Sequence, residues 1–363
     1  VSEFDVDGIR LDAADVLDFD FMRMLRRTAE EVKPDFWLMG EVIHGDYSRW
    51  VNGETLHSVT NYALHKALYS GHNDHNYFEI AHTVKYLQNM GNLDLYNFVD
   101  NHDVERIYTK LSNKAHFTPV HILLYTLPGV PSIYYGSEFG IEGRKERSSD
   151  DSLRPALSLD DYETALGDNP CTALIAALGQ IRQHTPALSY GSYAELHLTN
   201  RQFAFARDLN DVRVVVTVNN DDNAASMDLP AGNAVEYIGA LSGQKVAVQD
   251  GRINVTVPAN SGEIWVPAGD MPEYKPFKVE ISVKEETVTD EESIPADSEA
   301  PFSATEPVHF DPNKSPEDMS VAELQAAILA KMANNGPVSD QMKKTVNENI
   351  WHDSLVNWLK SFR

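Results

Sequence analysis

Apolar residues in the first 135 positions of the chain are concentrated in five short segments, each of which ends in polar or charged residues. The segments are VDGIRLDAA, FWLMGEV, LHSVTNY, LYNFVDNHD and VPSIYYG, and their spacing is about the length of one strand–helix unit. Short apolar runs bounded by polar residues are typical of buried β-strands. We therefore predict five strands, which end near Asp12, Glu41, Tyr62, Asp103 and Tyr135.

Helical patterns separate these strands. Between the first two, apolar residues recur at steps of three and four, which predicts an amphipathic helix that ends before Pro34. These residues are Met22, Leu25, Ala29 and Val32. Residues 77–90 and 116–126 have similar patterns, so strands and helices alternate as in a parallel α/β fold.

An eight-stranded barrel needs three strands more than the five predicted here. We therefore predict that residues 1–189 form strands 4 to 8 of a partial (β/α)8 TIM barrel. Because the chain starts without Met and enters a strand at once, we expect the true N-terminus to lie upstream, where a signal peptide stays an open alternative.

The pattern changes to strict alternation after a closing helix at residues 172–184. Short alternating runs are separated by Gly, Asn and Asp, which favour turns. The runs are RQFAFARD, VRVVVTVNN, AVEYIGA, RINVTV and GEIWVP. This pattern predicts a small all-β sandwich domain at residues 190–267.

The last hundred residues have a different composition. Fourteen acidic and 4 basic residues lie between positions 268 and 318, interspersed with Pro and Ser, which predicts an acidic, flexible linker. Ser320 and Glu323 have the spacing of a helix capping box, and residues 342–358 carry a second helical pattern. We therefore predict a C-terminal helical hairpin at residues 319–363.

The composition limits the classes of partner. The formal net charge is −25, which disfavours nucleic acid and anionic membranes as the main partners and is compatible with a neutral sugar polymer. No stretch reaches the roughly 20 apolar residues that span a bilayer. Cys171 is the single cysteine, so the chain forms no internal disulfide, and we expect a cytoplasmic location. The oligomeric state is not predicted.

The first predicted strand places an arginine beside a carboxylate. Alternate side chains of a strand point to one face, so Arg10 and Asp12 lie side by side at its C-terminal end. Active sites of TIM barrels lie at that rim. A neighbouring guanidinium favours the ionised carboxylate, which a nucleophile requires. Taken alone, this segment is equally typical of a structural ion pair at a strand end.

Glu41 and Asp103 lie at the ends of two further strands. Trp37 and Met39 share the face of Glu41, and an apolar setting raises the pKa of a carboxyl so that it can act as an acid. Taken alone, Glu41 also fits a solvated strand end. Asp103 follows His102 where the fourth strand enters a loop. Three carboxylates on three barrel strands converge on one pocket, and glycoside cleavage with retention needs a nucleophile and an acid about 5–5.5 Å apart.

Four segments resemble conserved regions of the α-amylase family in order and spacing. They are DGIRLDAA, GEVIH, FVDNHDVER and GVPSIYYGSEFG, and within the family they are most similar to cyclomaltodextrinase and neopullulanase-like members. The resemblance covers residues 1–267. It implies that Asp12 is the nucleophile, that Glu41 is the general acid/base and that Asp103 grips and distorts the sugar. The substrate contacts that it implies are Arg10, His102, His44 and Arg154.

The resemblance implies a retaining hydrolase of α-glucosidic bonds in maltodextrins or related α-glucans. No cofactor is expected, although a structural calcium ion in an upstream region would fit the family. The chain departs from the family in three ways: no Asn-His region follows a third barrel strand, Asp15 and Val16 stand where a Lys-His pair is common, and Ser137 stands where an acidic residue is common. The departure at Asp15 and Val16 leaves the leaving-group subsite open.

Two other functions fit the same residues. A transglycosylase would use the same carboxylates and transfer the glycosyl group to a sugar instead of to water. Alternatively, the chain is an inactive fragment or a glucan-binding module, because five strands cannot close an eight-stranded barrel. We expect the 363 residues alone to be inactive.

The run GHNDHN, which contains His72, Asp74 and His75, resembles a metal-binding cluster. Without a fixed ligand spacing, we interpret it as a solvated loop before the next helix, and no metal site is predicted.

Overall fold

The computed structural model describes residues 3–147, 149–270, 314–316, 319–334 and 359–360. The chain divides into two compact units, Val1–Lys284 and Glu285–Arg363. The first unit contains parallel strands that alternate with helices, followed by an antiparallel β domain.

Five parallel strands follow one another in chain order across the first unit. They are β1 (Gly8–Leu11), β2 (Trp37–Gly40), β3 (Ser58–Val59), β4 (Tyr96–Phe98) and β5 (Val130–Ser132). β1, β2 and β3 form one sheet, β4 and β5 form another, and a parallel bridge between Thr60 and Tyr96 connects the two. Parallel strands in this sequential order are typical of a barrel wall.

The observed strands are shorter than the apolar segments that predicted them. β4 ends five residues before Asp103 because side chains bind the backbone N–H groups that follow it. Asn101 Oδ1 accepts hydrogen bonds from the N–H groups of Asp103 and Val104 at 2.8 and 3.1 Å, and Asp100 Oδ2 accepts one from Ile107 at 2.8 Å. Such local bonds compete with a strand ladder. β4 is therefore shorter than predicted, and Asp103 lies in the loop that the sequence placed after this strand.

Helices lie between and after the strands. They are α1 (Phe19–Val32), α2 (Tyr62–Asn73), α3 (Tyr77–Asn89), α4 (Ile107–Lys110), α5 (Phe117–Thr126), α6 (Ala165–Asp168), α7 (Pro170–His184) and α8 (Pro186–Tyr190). Short 3-10 turns occur at Ala14–Val16, Tyr47–Arg49, Lys114–His116, Ser137–Phe139, Leu159–Tyr162 and Ala268–Asp270. The helices predicted at 77–90 and 116–126 are confirmed within one residue as α3 and α5.

The sequence pattern missed α2, which begins at Tyr62 where a strand end was expected. Asn61 begins this helix because its side chain accepts a hydrogen bond from the N–H group of Leu64 at 3.1 Å. His72 lies in the last turn of α2 and is fully buried, so the interpretation of GHNDHN as a solvated loop is wrong at this residue.

Four histidines of the first unit are buried, namely His65, His72, His116 and His121, and burial lowers the pKa of each. His72 Nδ1 lies 2.6 Å from the carbonyl oxygen of Leu68, and its Nε2 lies 3.2 Å from the Tyr77 hydroxyl. Burial lowers the pKa of His72 to about 3 and those of His65 and His121 to about 4, because desolvation disfavours the imidazolium.

We expect these histidines to destabilise the protein in mild acid. An unfolded histidine titrates near about pH 6.5, so below that pH the unfolded state binds more protons than the folded state. The free energy of unfolding should therefore fall as the pH decreases from about 6.5 towards the folded pKa values. The slope should reach at most about 1.4 kcal/mol per pH unit for each histidine. Urea unfolding at several pH values between about 7.5 and about 4.5 measures it.

A matched pair of variants assigns the slope to burial. His72→Gln should give a shallower dependence on pH than the wild type, because one buried histidine no longer titrates. His82→Gln, which changes an exposed histidine on α3, should keep the wild-type slope. Equal slopes in the wild type and His72→Gln would contradict the expectation.

The antiparallel β domain follows α8. Its strands are β6 (Ser192–Leu198), β7 (Gln202–Leu209), β8 (Val212–Asn219), β9 (Ala225–Pro230), β10 (Glu236–Gly239), β11 (Lys245–Ala247), β12 (Arg252–Val257) and β13 (Ser261–Pro267). A six-stranded sheet has the order β11-β10-β13-β8-β7-β6, and β9 pairs with β12 separately. Ala204 and Val215 of the large sheet pack with β9 and β12, whereas Phe203, Phe205 and Val216 pack in the core that contains α5 and α7. Because successive side chains of a strand point to opposite faces, the large sheet contributes residues to both of these cores.

The second unit is described mainly through α9 (Val321–Asn334). The predicted capping box at its start is confirmed: the Glu323 N–H donates to Ser320 Oγ at 3.3 Å, and the Ser320 N–H donates to Glu323 Oε2 at 2.7 Å. The predicted second helix at 342–358 and most of the predicted linker at 268–318 lie outside the described residues. No helix in the described ranges is long and apolar enough to cross a membrane.

Candidate active site

Two of the predicted carboxylates are placed side by side by the register of β1 and β2. Leu11 pairs with Gly40 in this parallel ladder, and the Glu41 N–H donates to the Leu11 carbonyl at 2.8 Å. Asp12 and Glu41 are the next residues of each strand, so they leave the sheet at the same end. This end is the rim at which barrel enzymes place their catalytic groups.

One guanidinium contacts both carboxylates. Arg10 Nη1 donates to Asp12 Oδ1 at 2.8 Å, and Arg10 Nη2 lies 3.0 Å from Glu41 Oε2. The cation therefore compensates the repulsion between two acidic groups that the strand register brings together.

The Asp12 carboxylate is open to solvent, with 81% of its side chain exposed. The hydrogen bond from Arg10, and then the charge of Arg10, hold the pKa of Asp12 below its ordinary value. Smaller contributions in the same direction come from Glu41 and His102. Asp12 is therefore ionised at neutral pH, as a nucleophile must be.

Glu41 is more enclosed, with 12% of its side chain exposed, and it has several polar partners. Besides Arg10, the N–H group of Ala13 donates to Oε2 at 3.2 Å, and the Tyr62 hydroxyl lies 3.5 Å from Oε1. Ala13 has a left-handed backbone (φ 44°), a costly conformation for a residue with a side chain, and it aims its N–H group at the carboxylate. The apolar setting predicted from Trp37 and Met39 therefore leaves out three polar partners, namely Arg10, Ala13 and Tyr62.

Asp103 lies between a histidine and an arginine. His102 Nε2 is 3.1 Å from Asp103 Oδ2, and Arg154 Nη2 is 2.8 Å from Asp103 Oδ1. Arg154 also donates from Nε to the His102 carbonyl oxygen at 3.0 Å and lies 3.2 Å from Asp150 Oδ2. Because the segment is a loop, the adjacent side chains of His102 and Asp103 reach each other, which a strand would prevent.

Tyr62 and Asn101 connect the two groups of carboxylates, and sequence reasoning missed the role of both. The Tyr62 hydroxyl, beside Glu41, accepts a hydrogen bond from Asn101 Nδ2 at 3.1 Å. Burial raises the pKa of Tyr62, and the charges of Glu41 and Asp103 raise it further. In the sequence, Tyr62 is only the end of a predicted strand, and Asn101 is only one residue of the segment FVDNHDVER. Their contacts depend on α2 and on the loop after β4, which local periodicity does not reveal.

Two models of known protein domains match parts of the chain. The family model "Alpha amylase, catalytic domain" matches residues 1–173, and the model "Alpha-amylase C-terminal domain" matches residues 191–265. The chain belongs to the α-amylase family. The α-amylase-family fold, a TIM barrel followed by a C-terminal β domain, therefore includes both the parallel strands and the antiparallel sheets described above.

Several curated relatives in this family cover most of the chain. A cyclomaltodextrinase of Thermoanaerobacter pseudethanolicus is 30% identical over 61% of this chain and 38% of its own length. A neopullulanase 2 of Thermoactinomyces vulgaris is 27% identical over 71% and 45%. A cyclomaltodextrin glucanotransferase of a Bacillus species is 28% identical over 72% and 38%. The chain thus spans less than half the length of these relatives. An α-amylase structure from Malbranchea cinnamomea has a TM-score of 0.65 at 21% identity, covering 75% of this chain and 58% of that one.

The sequence of this α-amylase-family chain also singled out His44 as a substrate contact, and Asp15, Val16 and Ser137 as departures from the family. His44 is exposed three residues after Glu41. Asp15 and Val16 form part of the 3-10 turn after β1, and Val16 is 78% exposed. Ser137 is buried and hydrogen-bonded to Asp100, away from the carboxylates of the rim. Among the described residues, no group of three or more His, Cys, Asp or Glu side chains is arranged to hold a metal ion.

Proposed function

We propose that this protein is a retaining glycoside hydrolase that cleaves α-glucosidic bonds in maltodextrins or related α-glucans. The observation that carries the proposal is the single guanidinium of Arg10 in contact with both Asp12 and Glu41. Retaining enzymes hold their two carboxyl groups about 5–5.5 Å apart, whereas inverting enzymes separate them by about 6.5–9.5 Å to admit a water molecule. A shared guanidinium favours the shorter separation. We also propose that β1 to β5 correspond to strands 4 to 8 of the family's barrel.

The two carboxylates would divide the reaction between them. An Asp12 oxygen attacks the anomeric carbon, the glycosidic C–O bond breaks, and Glu41 gives its proton to the departing oxygen. The product of this step is a covalent glycosyl ester of Asp12. Glu41 then takes a proton from a water molecule whose oxygen attacks the same carbon, which releases Asp12. The lowered pKa of Asp12 keeps the attacking group ionised.

The remaining groups would hold the sugar. Asp103 presents a carboxylate between His102 and Arg154, and this charged cluster suits hydrogen bonds to sugar hydroxyl groups that strengthen in the transition state. Tyr62, between Glu41 and Asn101, would orient the acid and line the same subsite. The predicted contact of His44 with substrate, the absence of a cofactor and the cytoplasmic location stay predictions.

A second candidate is transglycosylation, since the relatives include a cyclomaltodextrin glucanotransferase as well as hydrolases. Both reactions share the glycosyl intermediate and differ in the acceptor. Digestion of maltotetraose by the intact enzyme, followed by chromatography of the products, separates them. We expect only shorter oligosaccharides, whose new reducing ends are first released as the α-anomer in proton NMR. Longer oligosaccharides would indicate transfer, and a β-anomer would contradict retention.

The third hypothesis, a glucan-binding module without activity, predicts a different result in the same experiment. Maltotetraose would then bind to the chain, detectably by calorimetry, without the appearance of any product. The inactivity of the 363 residues by themselves also stays a prediction, and a separate digestion with this chain alone tests it.

A further inference from the structure

The guanidinium of Arg106, three residues after Asp103, joins segments that are distant in sequence. The cluster that it concerns consists of His102, Asp103 and Arg154. Its side chain is fully buried. Nη1 donates to the carbonyl oxygen of Tyr135 at 2.6 Å and to Ser137 Oγ at 3.0 Å, and Nη2 donates to the carbonyl oxygen of Leu153 at 2.7 Å. One side chain from the loop after β4 therefore fixes the segment after β5 and the loop near residue 153.

Through these bonds, Arg106 is connected to the residues that contact Asp103. Leu153 precedes Arg154, whose side chain contacts the Asp103 carboxylate and the His102 carbonyl oxygen. Arg106 itself follows Asp103 by three residues. Tyr134 provides a second connection, from Arg106 to His102. The centroid of its ring lies 4.3 Å from the Arg106 guanidinium carbon and 6.4 Å from the centroid of the His102 ring. A displacement of Arg106 would therefore move the partners of Asp103 on both sides.

Ser137 links this arginine to a buried carboxylate. Its Oγ lies 2.8 Å from each oxygen of Asp100 and accepts the hydrogen bond from Arg106 Nη1. Asp100 is itself 2% exposed and accepts a further hydrogen bond from the Ile107 N–H at 2.8 Å. A buried cation and a buried carboxylate are thus joined through one hydroxyl, which compensates their desolvation. Ser137, at a position where the family commonly has an acidic residue, thus contacts both charged groups through its hydroxyl.

We propose that Arg106, held by Ser137 and Asp100, is a positioning residue that fixes the geometry of His102, Asp103 and Arg154. It acts through other residues, because its side chain is buried and does not reach the rim. The consequence for catalysis rests on the proposed function, whereas the geometric consequence does not. Misplacement of a substrate-gripping group by about 1 Å can cost about 10²-fold in rate.

The test compares Arg106→Lys with Arg182→Lys in the intact enzyme. Arg182 is a suitable control because its guanidinium also joins separate segments through hydrogen bonds to carbonyl oxygens, those of Tyr125, Leu188 and Gly129, and it lies outside the cluster. With maltotetraose as substrate, we expect Arg106→Lys to lower kcat about 10²-fold with a smaller change in KM. The reason is that the hydrogen bonds from the cluster to the sugar strengthen in the transition state. Arg182→Lys should keep kcat within about twofold even where its melting temperature falls equally.

A spectroscopic readout tests the geometry without activity. In protein labelled at histidine, the His102 ring signal is assigned by its loss in His102→Gln, and the buried His72 signal reports on the fold. We expect the His102 signal to move in Arg106→Lys while the His72 signal stays. Ser137→Ala, which removes one hydroxyl, should move His102 in the same sense and provides the test if Arg106→Lys does not fold.

The outcomes are distinct. An unmoved His102 signal in folded Arg106→Lys, or in Ser137→Ala if that is the folded variant, would overturn the positioning role. An equal loss of kcat in Arg182→Lys at equal stability would also overturn it, because the effect would then be general. A moved His102 signal in an intact enzyme that cleaves no glucan would support the positioning role and reject the proposed function.

Discussion

Asp12→Asn is expected to lower kcat/KM for maltodextrin cleavage in the intact enzyme by about 10⁴-fold or more, because the amide cannot form the glycosyl ester. Asp20→Asn is the matched control. It changes an exposed carboxylate on α1 that, like Asp12, pairs with an arginine, and it should keep kcat/KM within about threefold. Full activity of Asp12→Asn would end the assignment of the nucleophile.

Small anions separate the role of Asp12 from that of Glu41. Azide is a nucleophile that needs no general base, so it should restore turnover in Glu41→Ala and form a glucosyl azide. This product should have the α configuration, because azide attacks the glycosyl ester from the side of Glu41. In Asp12→Ala, azide would replace the nucleophile and attack the substrate directly, giving the β configuration. Proton NMR of the products distinguishes the two anomers, and the reverse pattern would exchange the assigned roles.

The second large effect is expected at Arg10. Replacement by Met removes the guanidinium that contacts both carboxylates, and loss of one such electrostatic group should cost about 10²–10³-fold in kcat/KM. The pH dependence should change as well. Arg10 holds the pKa of Asp12 down, and Asp12 must be ionised to attack, so removal of Arg10 raises this pKa. The acidic limb of the profile of kcat/KM should therefore shift to higher pH.

Arg23→Met provides the comparison, because Arg23 also forms ion pairs with two carboxylates, those of Asp20 and Glu54, on the surface. Its pH profile should match that of the wild type, since exposed ion pairs contribute little. An acidic limb that stays in place in Arg10→Met, or one that moves equally in Arg23→Met, would show that Arg10 does not control Asp12.

Much of the site could be predicted from the sequence because its central part follows from strand periodicity. Arg10 and Asp12 are two residues apart at a strand end, so they share a face whatever surrounds them. Apolar runs at a regular interval also predicted the parallel strands, and thereby the common end at which Asp12 and Glu41 lie.

The surroundings of Glu41 could not be predicted in the same way. Periodicity assigned Trp37 and Met39 to the face of Glu41. The ion-pair and hydrogen-bond partners of its carboxylate are Arg10, the strained turn at Ala13, and Tyr62. Two of these belong to the neighbouring strand and its following turn, and the third begins a helix that the pattern missed. The polarity of a side-chain environment depends on such partners from other elements, so one segment cannot reveal it.

By itself, the sequence determined the order of strands and helices, the alternation of the β domain and the carboxylates that end neighbouring strands, because these follow from local periodicity and short-range chain geometry. Only the tertiary structure decided that one guanidinium contacts Asp12 and Glu41, that Arg154 meets Asp103, and that Arg106 is buried against Ser137. Arg154 and Asp103 are 51 positions apart, and Arg106 and Ser137 are 31 positions apart. Each pair comes together only when helices and loops pack against one another. The physical reason is that such hydrogen bonds and ion pairs depend on distances across the fold, on which a local pattern places no constraint.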